Sequence, residues 1–209
     1  MDKPETFRFN DVKVLGRETG YKGFFKLVKV QLQHRLFKGG WSAPFERELF
    51  TKGPAACALL YDPQKDLIGL VEQFRVGALQ SAQGPWTLEC VAGLVEDGET
   101  PEVMARRELQ EEAGITDAEL IYITEYYPTP GSCDEYVYLY CALCELGDAE
   151  GDFGLAGESE DIRLHVYPAQ EVFGAMLKGR TNNAATLLGL QWLQLNRESL
   201  RAGVKKPYL

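Results

Sequence analysis

Alternating apolar and polar residues predict a small antiparallel sheet near the start of the chain. Val28, Val30 and Leu32 are apolar while the residues between them are polar, and a period of two is typical of a strand with one buried face. A Lys-Gly-Gly turn follows and leads toward a second strand at 47–50. We therefore expect residues 11–50 to form this sheet.

Longer apolar runs predict a second, more buried set of elements after residue 53. The Gly- and acid-rich stretch 147–161 interrupts them, and a loop of that length is usually functional or disordered. Leu188, Trp192 and Leu195 stand at helical spacing, so we expect these three side chains to pack on the core. Strands are expected at 55–61, 67–74, 86–91, 121–127, 135–146 and 162–167, and helices at 169–178 and 184–201.

Another helix has clear signals at both ends. Thr100 is a suitable N-cap, Pro101 suits the first helical position, and Gly114 is a typical stop. The helix is therefore predicted to run from residue 101 to just before residue 114.

Three glutamates crowd one face of this helix. At ~100° per residue, Glu108, Glu111 and Glu112 share about one third of the circumference. Like charges at these spacings destabilise a helix by a few tenths of a kcal/mol per pair, and Arg107 offsets only part of that. A bound cation would turn the repulsion into coordination, and hard carboxylate oxygens suit Mg²⁺ or Mn²⁺. Taken alone, the three glutamates are also compatible with a solvated acidic face.

The formal net charge of −9 argues against nucleic acid as a partner, because an acidic surface repels phosphate polyanions. We also expect no membrane partner, since no stretch approaches the ~20 apolar residues that span a bilayer and the N-terminus lacks a signal-like apolar run. Five cysteines, an odd number, predict reduced thiols in a cytoplasmic protein. Cys141 and Cys144 form a C-x-x-C without further ligands nearby, so we expect ordinary strand cysteines, with a redox or metal role as the alternative.

The spacing around the acidic helix matches the Nudix box. That pattern is Gly, five residues, Glu, seven residues, Arg-Glu, an aliphatic residue, any residue, Glu-Glu, any residue, Gly and an aliphatic residue. The chain supplies, in order, Gly93, Glu99, Arg107, Glu108, Leu109, Glu111, Glu112, Gly114 and Ile115. The chain thus resembles the Nudix hydrolases, and over nearly its whole length it is similar to the bacterial ADP-ribose diphosphatases of that superfamily.

The resemblance implies an α/β fold, a Nudix α/β/α sandwich with a mixed sheet, preceded by a small N-terminal antiparallel β-sheet. Residues 1–52 would form a dimerisation domain and residues 53–209 the hydrolase domain. The expected assembly is a homodimer that exchanges its N-terminal sheets.

The resemblance also implies a metal site and a general base. By position, the carbonyl of Ala92 would bind metal together with Glu108 and Glu112, while Glu111 would share a further ion. In the loop 147–161, Glu158 would be the general base and Glu160 a further metal ligand. The expected cofactor is Mg²⁺, with Mn²⁺ as a substitute. Glu99 and Arg107 would brace the turn between loop and helix.

The substrate expectation rests on residues outside the box. Pro130 follows Ile115 by 15 positions, as in ADP-ribose-cleaving relatives, although a proline in a turn is also simply a turn. Diadenosine-polyphosphate relatives favour a tyrosine where this chain has Cys133. Phe24, with Phe25 nearby, resembles the aromatic that stacks on adenine from the partner subunit; two strand phenylalanines in the core are the alternative.

The remaining substrate contacts are also assigned from the resemblance. Arg47 and Glu48 would complete the adenosine pocket. Arg75, with Glu89, would meet a phosphate, and Leu94 would lie beside the substrate. The expected contacts to the terminal ribose come from Thr129, Pro130, Gly131 and Glu135, in a segment where Ser132 departs from the Ser-Pro-Gly-Gly of many relatives.

The sequence as a whole predicts a metal-dependent enzyme that hydrolyses ADP-ribose to AMP and ribose 5-phosphate. The near alternative is hydrolysis of another nucleoside diphosphate sugar, such as a GDP-sugar. The alternative of a different class is a non-catalytic module that binds ADP-ribose. Loss of a box carboxylate would favour that module, and none is lost.

Overall fold

The computed structural model describes residues 7–147, 149–155, 157 and 160–204. The chain divides into two compact units. The first comprises the residues up to Gly53 together with Tyr127–Glu135, and the second comprises Pro54–Tyr126 and the residues from Tyr136 onward. In the described ranges, no helix is long and apolar enough to cross a membrane.

The first unit contains the small antiparallel sheet that the sequence predicts. Its strands are β1 (Val12–Lys22), β2 (Lys26–His34) and β3 (Phe45–Thr51), in that order. Among the strand residues only Val30 is buried. The sheet therefore has almost no core of its own, and several of its apolar side chains are exposed.

The second unit is built on a mixed sheet. The strands are β4 (Pro54–Asp62), β5 (Leu67–Phe74), β6 (Trp86–Glu89), β7 (Val91–Leu94), β8 (Glu119–Tyr126), β9 (Tyr136–Leu143), β10 (Gly151–Phe153) and β11 (Ile162–Pro168). Their order in the sheet is β10-β11-β5-β4-β9-β8, with β6 on β5 and β7 on β4. Strands β4 and β9 pair in parallel, and the other pairs are antiparallel.

Helices cover both faces of this sheet. Successive side chains of a strand point to opposite faces, and along β4 they join two different apolar clusters in turn. Helix α1 (Pro101–Ala113) contributes to one cluster, whereas α2 (Ala169–Leu177) and α3 (Ala184–Arg201) contribute to the other. The expected α/β/α sandwich with a preceding β-sheet is confirmed.

Two predicted elements differ in the structure. The strand expected at 86–91 is two strands, because the backbone N–H of Cys90 donates to Thr186 Oγ1 (2.9 Å) instead of continuing a ladder. The loop expected at 147–161 contains the short strand β10, which pairs with β11.

The expected packing of α3 is wrong for two of its three residues. Leu188 is 39% exposed and Leu195 is 86% exposed, while Trp192 is half-buried. The helix buries Leu190, Leu193 and Leu200 instead. Because Leu195 lies two residues from Leu193, it points about 200° away from that buried face.

An acidic residue at the turn between β4 and β5 anchors α3. Asp66 has a φ of 58°, a left-handed conformation that Asp tolerates better than most residues. Its carboxylate accepts hydrogen bonds from the Tyr61 hydroxyl (2.9 Å) and from Arg197 Nε (2.8 Å), and Arg201 lies 3.4 Å away. The turn and the last helix are therefore joined by charged hydrogen bonds.

Candidate active site

Helix α1 carries the acidic residues on a well-defined scaffold. Thr100 caps it by accepting a hydrogen bond from the backbone N–H of Val103 (3.3 Å), and Pro101 is its first residue. Gly114 ends it in the left-handed conformation, at a φ of 65°. A Cβ at that glycine would also stand 2.8 Å from the Phe153 ring, so both the backbone and the packing require glycine there. The predicted helix and its caps are confirmed.

Glu112 lies on the buried face of α1. Only 2% of the residue is exposed, although its neighbours on that face are apolar. Its Oε2 accepts a hydrogen bond from the backbone N–H of Ala92 in β7 (3.1 Å). The helix and the strand therefore meet at this carboxylate.

Glu108 packs against the residue that follows Ala92. A Cβ added to Gly93 would lie 2.1 Å from Glu108 Oε1, so the carboxylate occupies the space that any side chain at residue 93 would need. This close approach explains why the pattern begins with glycine. Glu108 and Glu112 are thus held side by side against one short strand.

The two carboxylates lack enough positive charge around them. The pKa of Glu112 is raised to about 8, chiefly because the carboxyl group is buried and in part because of the nearby charge of Glu108. Burial raises the pKa of Glu108 to about 7, although Arg107 opposes the shift. The negative charge of Glu160 adds to the rise at both groups. A group of carboxylates in this environment is stabilised either by protonation or by a bound cation. Carboxylate oxygens are hard ligands, which fit a divalent metal ion.

Arg107 is a cation in direct contact with Glu108 and Glu111. Its guanidinium contacts Glu108 Oε1 (2.8 Å) and Glu111 Oε2 (3.0 Å), and its Nε lies 3.3 Å from Glu99 Oε1. Glu99 in turn accepts from the backbone N–H of Glu96 (3.2 Å), so the ion pair joins the preceding loop to the helix. This geometry matches the bracing role expected for Glu99 and Arg107.

A metal would have to replace some of these contacts. Across the described residues, no three His, Cys, Asp or Glu side chains converge on one point. Glu108 and Glu111 point toward Arg107, and the expected general base, Glu158, lies outside the described residues. Glu160 is described, and its Oε2 accepts from the backbone N–H of Leu155 (3.4 Å).

The segment that carries Glu160 is attached to the end of α1. The backbone N–H of Gly154 donates to the carbonyl of Glu111 (3.3 Å), and the Phe153 ring covers Gly114. Phe153 and Gly154 therefore lie against the end of α1.

Arg75 is oriented by a buried carboxylate. Its Nη2 and Nε lie 2.9 and 3.1 Å from Glu89 Oε2, and the Thr87 hydroxyl donates to the other oxygen at 2.6 Å. Glu89 is 4% exposed, whereas 43% of the Arg75 side chain is exposed. Arg75 can therefore present its free donors to a ligand while Glu89 holds it in place. Leu94, at the end of β7, is half-buried.

Gln73 is a further buried polar residue beside Thr87, and it is not among the site residues predicted from the sequence. Residues directly opposite in an antiparallel pair share a face, and Gln73 lies opposite Thr87. Its Nε2 is buried and has no hydrogen-bond partner among the described residues. The signal in the sequence was its position two residues before Arg75, near the end of β5.

The aromatic residues expected at adenine lie in the bend between β1 and β2. Phe24 is 87% exposed, which rules out the alternative that it belongs to the core. Its ring contacts Phe25 edge-on, with centroids 4.7 Å apart, and Phe25 contacts Phe50 at 5.1 Å. The Phe24 ring therefore packs on Phe25 at one side, and its other face is accessible to solvent.

Arg47 and Glu48 are both exposed on β3. As neighbours in a strand, they point to opposite faces of the sheet. The Arg47 guanidinium lies over the ring of Phe45, 4.6 Å from its centroid, and its Nη1 donates to the carbonyl of Glu46 (2.8 Å).

The segment expected at the terminal ribose, residues 129–135, belongs to the first unit. The carbonyl of Thr129 accepts from the backbone N–H groups of Ser132 (3.2 Å) and Cys133 (3.1 Å), so the turn through Pro130 and Gly131 is closed. Glu135 is ion-paired with Lys52.

The cysteines do not supply a reactive nucleophile. All five are buried outside any disulfide, and burial raises the pKa of the thiols of Cys90 and Cys144 to about 12. Such thiols are poor nucleophiles.

Comparison with known proteins finds a NUDIX domain and two related pyrophosphatases. The NUDIX domain model matches residues 51–188. An ADP-ribose pyrophosphatase of Haemophilus influenzae is 41% identical over 209 residues, covering 99% of this chain and 96% of that protein. A GDP-mannose pyrophosphatase of Enterobacter sp. (strain 638) is 33% identical, covering 76% of this chain and 83% of that protein.

The fold has a solved counterpart. A crystal structure described as an ADP compounds hydrolase superposes with a TM-score of 0.65 at 19% identity, over 90% of this chain and 97% of that one. At this level of identity the likeness concerns the fold alone.

Proposed function

Since the chain belongs to the NUDIX family, we propose that it hydrolyses ADP-ribose to AMP and ribose 5-phosphate. One observation carries the choice of substrate. The similarity to an ADP-ribose pyrophosphatase covers both units, whereas the similarity to a GDP-mannose pyrophosphatase covers 76% of the chain. The residues proposed to bind adenosine lie in the N-terminal sheet, which the NUDIX match leaves almost entirely outside its range.

The acidic face of α1 is proposed to hold divalent cations, Mg²⁺ or, as a substitute, Mn²⁺. Glu108 and Glu112 would bind with the carbonyl of Ala92, while Glu111 and Glu160 would contribute to further ions. Bound cations would neutralise the pyrophosphate and lower the pKa of an attacking water. The raised pKa values of Glu108 and Glu112 support this proposal, because they reflect buried carboxylates that need a positive partner.

Arg75 is proposed to bind a phosphate oxygen. Glu89 keeps the guanidinium in one orientation, so little side-chain entropy is lost when the substrate binds. Leu94 would lie beside the substrate. These residues position the pyrophosphate, and positioning with charge neutralisation accounts for most of the catalysis in such reactions.

The first unit is proposed to bind the two ends of the substrate. Phe24, backed by Phe25, would stack on adenine, and aromatic stacking on a base contributes about 1–3 kcal/mol in single-strand binders. Arg47 and Glu48 would complete the adenosine pocket. The terminal ribose would contact Thr129, Pro130, Gly131 and Glu135.

Glu158 is proposed as the general base. Carboxylates that bind a cation are held ionised and are poor bases, so proton transfer from the water falls to another residue. The attachment of Phe153 and Gly154 to the end of α1 supports a base supplied by this loop, because Gly154 lies only four residues before Glu158 in the chain.

The assembly is proposed to be a homodimer that exchanges its N-terminal sheets. The support is the surface of the sheet: Val30 is its only buried strand residue in the described chain, and Val14, Leu15 and Tyr21 are 47–65% exposed. Apolar patches of this kind are typical of protein interfaces. The absence of disulfides among the five cysteines supports a cytoplasmic location, where thiols stay reduced.

Product analysis over a substrate panel tests the function. The purified protein would be incubated with Mg²⁺ and ADP-ribose, GDP-mannose, diadenosine polyphosphates or NADH, and kcat/KM compared. We expect the highest value for ADP-ribose, with AMP and ribose 5-phosphate as products. A clear preference for GDP-mannose would support the second candidate, a GDP-sugar hydrolase. Binding of ADP-ribose without turnover would indicate a non-catalytic module.

A further inference from the structure

The loop at residues 129–135 is bonded along its length to the end of β3. The backbone N–H of Phe50 donates to the carbonyl of Ser132 (2.8 Å), and the N–H of Asp134 donates to the carbonyl of Phe50 (3.2 Å). Phe50 and Cys133 form a parallel bridge. Through its ring, Phe50 also contacts Phe25. One strand therefore connects the residues proposed at adenine with the loop proposed at the terminal ribose.

Asp134 strengthens this connection through its side chain. Its Oδ1 accepts hydrogen bonds from the backbone N–H groups of Lys52 (2.8 Å) and Gly53 (3.5 Å). Gly53 has a φ of 88°, so the backbone bends here in a conformation that favours glycine. The carboxylate thereby receives the two donors that the end of β3 leaves unpaired.

Lys52 contacts the loop through its side chain as well as through its backbone. The Nζ of Lys52 contacts Glu135 Oε1, and the two side chains are 29% and 17% exposed. No hydrogen bond from a described residue reaches the second carboxylate oxygen, Oε2. Glu135 is therefore held by one oxygen and keeps the other as a free acceptor.

We propose that Lys52 is a positioning residue, which holds Glu135 so that its free oxygen accepts a hydrogen bond from a hydroxyl of the terminal ribose. The proposal rests on the proposed function. Asp134 and Glu135 place two carboxylates together in a loop that would face an anionic substrate. Lys52 offsets that charge, and its contact with Oε1 leaves Oε2 for the sugar.

A structural role is the competing explanation. Partly exposed ion pairs contribute little to stability. Replacing Lys52 would then leave kinetics unchanged if the pair served only the fold. An effect confined to the sugar end of the substrate would require the positioning role.

The experiment compares Lys52→Met with Lys52→Arg and with Lys38→Met, an exposed lysine in the same unit. For Lys52→Met we expect KM for ADP-ribose to rise about tenfold with kcat within about threefold of wild type, because a binding contact is lost and the metal site is untouched. Lys52→Arg should restore most of the affinity, since arginine keeps the charge. Lys38→Met should match wild type.

A double-mutant cycle shows whether Lys52 acts through Glu135. In a Glu135→Gln background, Lys52→Met should have little further effect on KM, because the partner carboxylate is already neutral. Fully additive effects, or wild-type kinetics in Lys52→Met, would overturn the proposal.

Hydrogen exchange separates this proposal from the proposed function. In Lys52→Met, the amides of Asp134 and Glu135 should exchange faster than in wild type or Lys38→Met, whether or not ADP-ribose is the substrate. A wild-type protein that leaves ADP-ribose intact would defeat the function, and unchanged exchange in Lys52→Met would defeat the positioning role.

Discussion

Glu112 in α1 accepts its hydrogen bond from the backbone N–H of Ala92 in β7, and no side-chain cation among the described residues contacts it directly. The carboxylate is therefore oriented by the backbone and left without a charged partner. A cation bound at this point would meet an oxygen donor that is already in place.

Glu112→Gln tests the importance of this donor. The substitution keeps size but removes a ligand charge, so kcat should fall by about 10³-fold or more at saturating Mg²⁺, because metal ions supply much of the stabilisation of the transition state. In metal-free buffer the variant should melt at the wild-type temperature or above it, since a buried charge is removed. Mg²⁺ should raise the melting temperature of wild type more than that of the variant.

Glu102→Gln is the matched control for that experiment. Glu102 lies on the exposed side of the same helix and pairs with Arg106 at 3.0 Å. It should retain wild-type activity and the full stabilisation by Mg²⁺. A fully active Glu112→Gln protein, or undiminished wild-type activity in excess chelator, would contradict the metal site.

Phe24→Ala tests both adenine stacking and the exchanged dimer. Because Phe24 is 87% exposed, its loss should leave stability unchanged while KM for ADP-ribose rises. Mixing Phe24→Ala chains with Glu112→Gln chains should restore part of the activity if each site combines residues of two subunits.

Phe37→Ala provides a control, since Phe37 lies in the same unit and is also 87% exposed. The Phe37→Ala protein should have wild-type activity by itself. Mixing it with Glu112→Gln chains should therefore restore no activity that it had lost. A fully active protein that sediments as a monomer would refute the exchanged dimer.

Glu158→Gln tests the general base. A general base typically contributes about 10²–10⁴-fold to the rate, so kcat should fall in that range while KM changes little. Glu150→Gln, in the same acidic stretch, should have no such effect. Turnover of Glu158→Gln within about threefold of wild type, well short of that range, would place the base elsewhere, with Glu111 or Glu160 as the next candidate.

Asp66→Asn tests the anchor of α3. The hydrogen bond from Arg197 lowers the pKa of Asp66 below its ordinary value of 3.8. The stabilisation is therefore present above that pH and is lost as the pH falls through the lowered folded-state pKa. The substitution should reduce the free energy of unfolding by about 1.5–3 kcal/mol at pH 7, the range for hydrogen bonds to charged groups.

Urea unfolding at pH 7 and pH 3 measures this difference. The gap between wild type and Asp66→Asn should shrink at pH 3. Asp152→Asn is the control, because the Asp152–Arg163 pair is more than 60% exposed on both sides. An equal loss of stability in both variants would show that burial of the Asp66 pair has no special effect.

The sequence predicted the elements that depend on local signals. The bounds of α1 follow from Thr100, Pro101 and Gly114, each of which acts within one helical turn. Elements that depend on distant partners were missed. The break at Cys90 exists because of Thr186, 96 residues away, and β10 forms only by pairing with β11.

The same distinction applies to the candidate site. The spacing of the box placed Glu108 and Glu112 on one face, and the structure adds that they meet β7 at Ala92 and Gly93. The pairing of Lys52 with Glu135 joins residues 83 positions apart, and no periodicity in the sequence marks it. Leu195 is exposed because of the orientation of α3 on the sheet. Helical spacing alone does not show which of two apolar sets in α3 faces the core.

The hydrogen bonds between β3 and the loop at 129–135 limit which of these two segments can change independently among related proteins. A loop that takes its hydrogen bonds from Phe50 and Lys52 cannot be exchanged for the loop of a relative without also changing the strand that receives it. Conversely, a protein shortened to the matched segment 51–188 would leave the N–H of Asp134 and the carbonyl of Ser132 without their partners. We therefore expect the N-terminal sheet and the loop at 129–135 to change together, through paired substitutions in β3 and in the loop.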